Sequence, residues 1–167
     1  MFHAFHVKIY LITEVLKMRT VVLIAALAFS AVTRADEIKT SESWARTTSP
    51  GQTNSAIYLT IVSQQGADVI AVSSSIAHSA SLHSMTHEGG VMKMRELDIL
   101  PLPAKQEVKL SPGGTHIMLD DLKRPLGVGD SVPLILTIKF ADQHIEKIGL
   151  NVPVKPLTAS HEHHPDH

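Results

Sequence analysis

The chain has 167 residues, 44% of them hydrophobic and 19% charged, enough to bury the core of one ordinary domain. Lys plus Arg (15) nearly balance Asp plus Glu (16) and aromatics make up only 4%, which argues against a basic field for a nucleic-acid backbone and against a platform that stacks bases. Cysteine is absent while histidine reaches 11, so disulfides, thiol redox chemistry and thiolate metal sites are excluded together.

At the N-terminus, Lys17 and Arg19 precede an uncharged run from Thr20 to Thr33, closed by Arg34 and Ala35. A basic flank, a short apolar run and a small-residue end predict a secretory signal peptide cleaved after Ala35. The run would rise about 21 Å as a helix, short of the roughly 30 Å hydrocarbon core, so a membrane anchor is the weaker reading and no insertion is expected after cleavage. Residues 1–17 sit ahead of Met18-Arg19-Thr20, a more ordinary beginning for such a signal. The mature chain is expected to begin near residue 36, in the periplasm. In an oxidising compartment and without cysteine, a soft metal ligand has to be methionine.

From residue 36 to 156 the periodicity is that of strands. Trp44 is expected to pack in the core near the first strand. Ala56 to Val62 is rich in β-branched and aromatic residues, and Asp68 to Ser74 follows a break at Gln64-Gln65-Gly66. Glu107 to Leu110 precedes the turn residues Pro112-Gly113-Gly114. Val132, Leu134, Leu136, Ile138 and Phe140 then alternate along one face. After a polar Asp142-Gln143 connection suited to a hairpin, Ile148, Leu150, Val152 and Val154 repeat the pattern, with Pro153 hinting at an edge strand. Short strands, Gly and Pro turns and no sustained helical stripe predict an all-β antiparallel sandwich or barrel over residues 36–156. Past Pro156 the pattern stops, and His161-Glu162-His163-His164-Pro165-Asp166-His167 predicts a disordered His-rich tail over 157–167.

After the signal, methionine occurs only at 85, 92, 94 and 118, within one 36-residue window that also holds His83, His87 and His116. Residues two apart in a strand face the same way, so His116 projects with Met118, Met92 with Met94 and, if their segment is extended, His83 with Met85. Neutral imidazole and thioether suit soft, monovalent Cu(I) better than Zn(II), which favours thiolate, imidazole or carboxylate. For Met85 and Met92, ligation and plain packing are equally open. His87 lies four residues after His83 and, with Glu88, has the spacing of a zinc pair on a helix, but the following Gly89-Gly90 argues for a turn. His78 and His144 show no partner pattern. The tail histidines His161, His163, His164 and His167 suit Cu(II).

The spacing of His83, ten residues, Met94, twenty-one residues, His116, one residue, Met118 resembles the copper motif of the PCu(A)C family of periplasmic copper chaperones. The flanks resemble it too: Trp44-Ala45-Arg46, Ala56-Ile57-Tyr58-Leu59-Thr60, Gly89 to Arg95, Pro112 to Leu119 and Gly129 to Leu134. The resemblance spans residues 38 to 154. It implies a cupredoxin-like Greek-key β-sandwich that is not an enzyme and binds one Cu(I) through His83, Met94, His116 and Met118. It further implies delivery toward the binuclear copper site of cytochrome c oxidase, with the oxidase copper subunit or a Sco-type assembly protein as partner. Some members carry a methionine directly after the first histidine; here Ser84 stands there and Met85 follows. Some end in a His-rich or Met-rich extension proposed to take Cu(II), which the tail resembles. The alternative function is copper storage or buffering without a dedicated acceptor. A blue-copper redox site is excluded by the missing cysteine.

Overall fold

Alternation of apolar and polar residues resolves into ten strands: β1 (Ile38–Arg46), β2 (Ser55–Ser63), β3 (Ala67–Ser73), β4 (Ala77–Glu88), β5 (Val91–Leu97), β6 (Leu100–Leu102), β7 (Glu107–Leu110), β8 (His116–Leu122), β9 (Ser131–Phe140) and β10 (Ile145–Lys155). This computed structural model describes residues 38–156, apart from the side chains of His87 and Glu88, so the expected signal peptide and His-rich tail lie outside the described residues. Among the described residues there is no helix, and the all-β expectation is met.

The strands pair in the order β5-β4-β8-β2-β1-β10-β9-β3-β6, with β7 added to β2. All pairings are antiparallel except β1 with β10, which joins at Ala45↔Val154 and Arg46↔Lys155. That short parallel junction links a layer of β5, β4, β8, β2 and β1 to a second layer of β10, β9, β3 and β6. The core lies on their apolar faces, where Ile57, Leu59, Ile61, Ile117 and Leu119 cluster with Val132, Leu134, Leu136, Ile138 and Val152, all essentially inaccessible to water. Each such side chain contributes about 1.5–3 kcal/mol relative to exposure.

Two expectations are corrected. Pro153 lies in an interior strand, between β1 and β9 in the strand order. The N–H of Val154 donates to the Asp130 carbonyl on the β9 side, so position 153 faces β1. Pairing with β1 begins only at Val154, and the missing proline N–H therefore costs no ladder bond. Trp44, expected in the core, is half-buried on the other face of β1. The reason is a bulge. Ile38 to Ser41 pair with Ser63 to Thr60, and continuing that register would set Ser43 opposite Tyr58 and send Trp44 toward the core with Ile57. One extra residue enters between Ser41 and Trp44, with Glu42 at φ 52, and Trp44 falls opposite Tyr58 instead.

The long β4–β5 hairpin turns through Gly89 (φ 60) and Gly90 (φ 81), a left-handed pair that side chains with a Cβ rarely adopt. His87 and Glu88 thus end a strand rather than ride a helix, as their glycine neighbours foretell.

Candidate metal centre

β4 runs between β5 and β8, and its register decides which side chains meet. His83 pairs with Glu96 of β5 and with His116 of β8, Met85 pairs with Met94, and Ser81 pairs with Met118. Paired residues project to the same side, so His83, Met85, Met92, Met94, His116 and Met118 all occupy one face of three adjacent strands. Leu82, Ile117 and Leu97 take the opposite face toward the core.

Among the four residues of the expected ligand set, His83 neighbours the other three. His116 lies directly across from it, with ring centroids 6.0 Å apart and planes 22° from parallel. Met94 and Met118 stand on opposite diagonals, each at the roughly 7–8 Å backbone separation that long side chains can bridge. Burial grades across the face: His116 is 6% exposed, His83, Met85 and Met118 are partly buried, and Met94 is 50% exposed.

The two imidazoles are held differently. His116 Nδ1 lies 3.0 Å from the Gly114 carbonyl, which can only accept, so Nδ1 carries the proton and the Nε2 lone pair is left for another partner. His83 Nε2 lies 2.8 Å from the Ser81 hydroxyl, while its Nδ1 is buried without a hydrogen-bond partner. An orphaned buried N–H is costlier than an unused lone pair, which favours the tautomer with Nε2–H donating to Ser81 Oγ. Each ring then keeps one unprotonated nitrogen, the state a metal needs.

Beyond His116 the same face continues into an aromatic layer on β2 and β1. Tyr58 sits 6.3 Å from the His116 ring and Trp44 4.5 Å from Tyr58. Tyr58 is only 6% exposed, and burial pushes its phenol above the usual value, against a smaller opposite pull from Arg46. This layer covers one flank of the His116 ring.

The chemistry of the donor set is narrow. Among the described residues no three His, Cys, Asp or Glu side chains are placed to share a metal ion, and the other soft donors on the face that carries both imidazoles are the thioethers of Met85, Met92, Met94 and Met118. Two neutral imidazoles and two thioethers fit Cu(I), and an unpartnered buried ring nitrogen on His83 is a donor waiting for an acceptor. The residues that sequence reasoning missed are Ser81 and Gly114, which orient the rings; both lie two positions before the histidine that they hold. His144, expected to be incidental, pairs with Asp142 and stacks on Phe140 at the β9–β10 turn. His161, His163, His164 and His167 lie outside the described residues.

The family model described as "Putative lipoprotein LpqE-like" matches residues 38–154. A relative from Leifsonia xyli subsp. xyli, named "Putative lipoprotein Lxx21020", is 30% identical over 132 residues, 78% of this chain and 77% of its own length. Among solved structures, apo-DR1885 from Deinococcus radiodurans is 28% identical with a TM-score of 0.54 over 74% of this chain and 82% of that one. Its CuI form is also 28% identical, with a TM-score of 0.51 over 75% and 85%. The copper-bound PCuAC domain from PmoF2 shares the fold at 23% identity and a TM-score of 0.56, over 72% and 93%.

Proposed function

The chain belongs to the LpqE-like family, and on that premise we propose that it is a periplasmic copper metallochaperone holding one Cu(I) through His83, Met94, His116 and Met118. The observation that carries this reading is the pair of facing imidazoles, one of them with a buried ring nitrogen that has no hydrogen-bond partner, on the only stretch that gathers methionines after residue 35. Cu(I) forms exist for a 28% identical structural neighbour, which supports the same cargo here.

In this reading the residues divide the work. His116 and His83 supply the firm donors, their rings aimed by Gly114 and Ser81. Met118 lies partly buried beside them, while Met94 is exposed and yields first to an incoming ligand. Four neutral donors leave the site with the single positive charge of its cargo, and thioethers hold it less firmly than thiolates would. Release then proceeds by stepwise exchange of donors with an acceptor, for which the cytochrome c oxidase copper subunit or a Sco-type assembly protein has the required chemistry. The His-rich tail, residues 157–167, collects Cu(II). None of the 167 residues is a cysteine, so none can bear the thioether-linked lipid that the family description would otherwise lead one to expect.

The test is an anaerobic Cu(I) titration of residues 36–167 against a competing chelator, beside a version ending at Leu157. One tight equivalent should survive truncation and weaken by orders of magnitude in the Met94→Leu/Met118→Leu double variant. Tight binding that leaves with the tail would make the protein a histidine-tail scavenger. Transfer to an apo acceptor then separates delivery from buffering.

A further inference from the structure

The β4–β5 hairpin outruns the sandwich that supports it. Leu82 and Leu97 form its last apolar pair on the core-facing side; beyond them that side carries Ser84, Thr86, Lys93 and Arg95. On its other side the register puts Met85 directly opposite Met94, and Met92 two residues nearer the tip on the same face. Met92 is 45% exposed and Met94 50%. Core packing does not account for thioethers at such positions, where strands ordinarily present polar or β-branched side chains to water.

We propose that Met85, Met92 and Met94 form a second site for a soft monovalent cation, at the tip of the hairpin, that shares Met94 with the His83 site and loads it. This rests on the proposed Cu(I) function and extends it with a receiving platform. Successive positions on a strand face lie about 6.4–6.8 Å apart, so Met92, Met94 with Met85, and His83 make a ladder of donors from solvent to the partly buried His83 and, across from it, the buried His116. Three neutral thioethers bind Cu(I) or Ag(I) through sulfur alone and release it readily. The ion advances by keeping Met94 while Met85 and Met92 give way to His83, His116 and Met118. Copper stays Cu(I) throughout, so no electron or proton donor is required for the sulfur-to-sulfur part of the path.

The experiment uses the full chain labelled with ¹³C in the methionine methyl groups and titrated with Ag(I). In the wild type, the first equivalent should shift the Met94 and Met118 methyls, and the Met85 and Met92 methyls should move only at higher Ag(I), because Met94 is already engaged. In the His83→Ala/His116→Ala variant, Met85, Met92 and Met94 should shift together on one saturation curve while Met118 stays put. Adding Met85→Leu and Met92→Leu to that variant should weaken the hairpin binding at least tenfold, with Leu preserving apolar volume and fold. Met85 and Met92 methyls that stay unmoved in both proteins overturn the hairpin site. A Met118 methyl unmoved in the wild type overturns the four-ligand site instead, and leaves the hairpin result to be read separately.

Discussion

The Ser81 hydroxyl and His83 Nε2 lie 2.8 Å apart, two residues along one strand, and this contact leaves the other ring nitrogen of His83 buried and unpartnered. In the proposed site, serine thus decides which nitrogen His83 offers to the metal. Ser81→Ala removes a bond worth about 0.5–1.5 kcal/mol, and the freed ring must be ordered by the cation itself. Cu(I) affinity by chelator competition should fall up to about tenfold, with Ser81→Thr restoring it. An affinity that rises in Ser81→Ala would show the hydroxyl competing for the ligating nitrogen and reverse the tautomer.

A second expectation concerns alkaline pH. Burial raises the Tyr58 phenol above its ordinary value near 10, with Arg46 opposing more weakly. A group whose folded value is raised contributes stability that is complete below the unfolded value and lost as pH climbs through the folded one. Thermal stability should therefore decline above about pH 10, and Tyr58→Phe should flatten that decline. An unchanged slope in Tyr58→Phe would mean that the phenol ionises in the folded state without penalty.

Asp130 behaves in the opposite sense. The Arg124 guanidinium, 2.8 Å away, and then the Gly127 N–H hold its carboxyl below the usual carboxylate value. Stability from a depressed carboxyl is present above the unfolded value, near 3.9, and disappears as pH falls through the folded one. Asp130→Asn should lower Tm slightly at neutral pH and match the wild type in strong acid. The effect is small because the pair is exposed and screened, and added salt should shrink it. A gap that widens in acid would rule out the carboxylate as its source.

Much of this was legible from residue order, and the exceptions have physical causes. Alternation over Val132 to Phe140 was readable because β9 buries one face only, and the pairing of His116 with Met118 followed from the two-residue period of a strand. β5 was harder to read: its outer positions serve neither face of the core, so Val91, Met92 and Met94 stand exposed and only Leu97 packs against it. Ser81 was hidden because serine is common in strands and its meaning lies in a bond to His83. The face of Trp44 was misread because a single inserted residue reverses alternation without leaving a compositional trace.

That bulge makes its own prediction. Deleting Glu42 removes the extra residue, and the earlier register then carries Trp44 opposite Tyr58 unaided, so tryptophan emission and Cu(I) affinity should stay near wild type. Glu42→Val keeps the extra residue but puts a β-branched side chain at φ 52, where an L-residue already costs about 1–2 kcal/mol. It also removes the carboxylate that accepts from Thr60 Oγ1 at 3.4 Å and faces Lys109 at 3.3 Å. Thermal unfolding of Glu42→Val should show a loss of at least about 1 kcal/mol, while Glu42→Gly, free of the Cβ conflict, should lose less despite lacking the same carboxylate. If Gly and Val lose equally, the carboxylate contacts and not the left-handed backbone hold the bulge. If instead deletion of Glu42 shifts the Trp44 emission, the parity argument for its placement over Tyr58 is wrong.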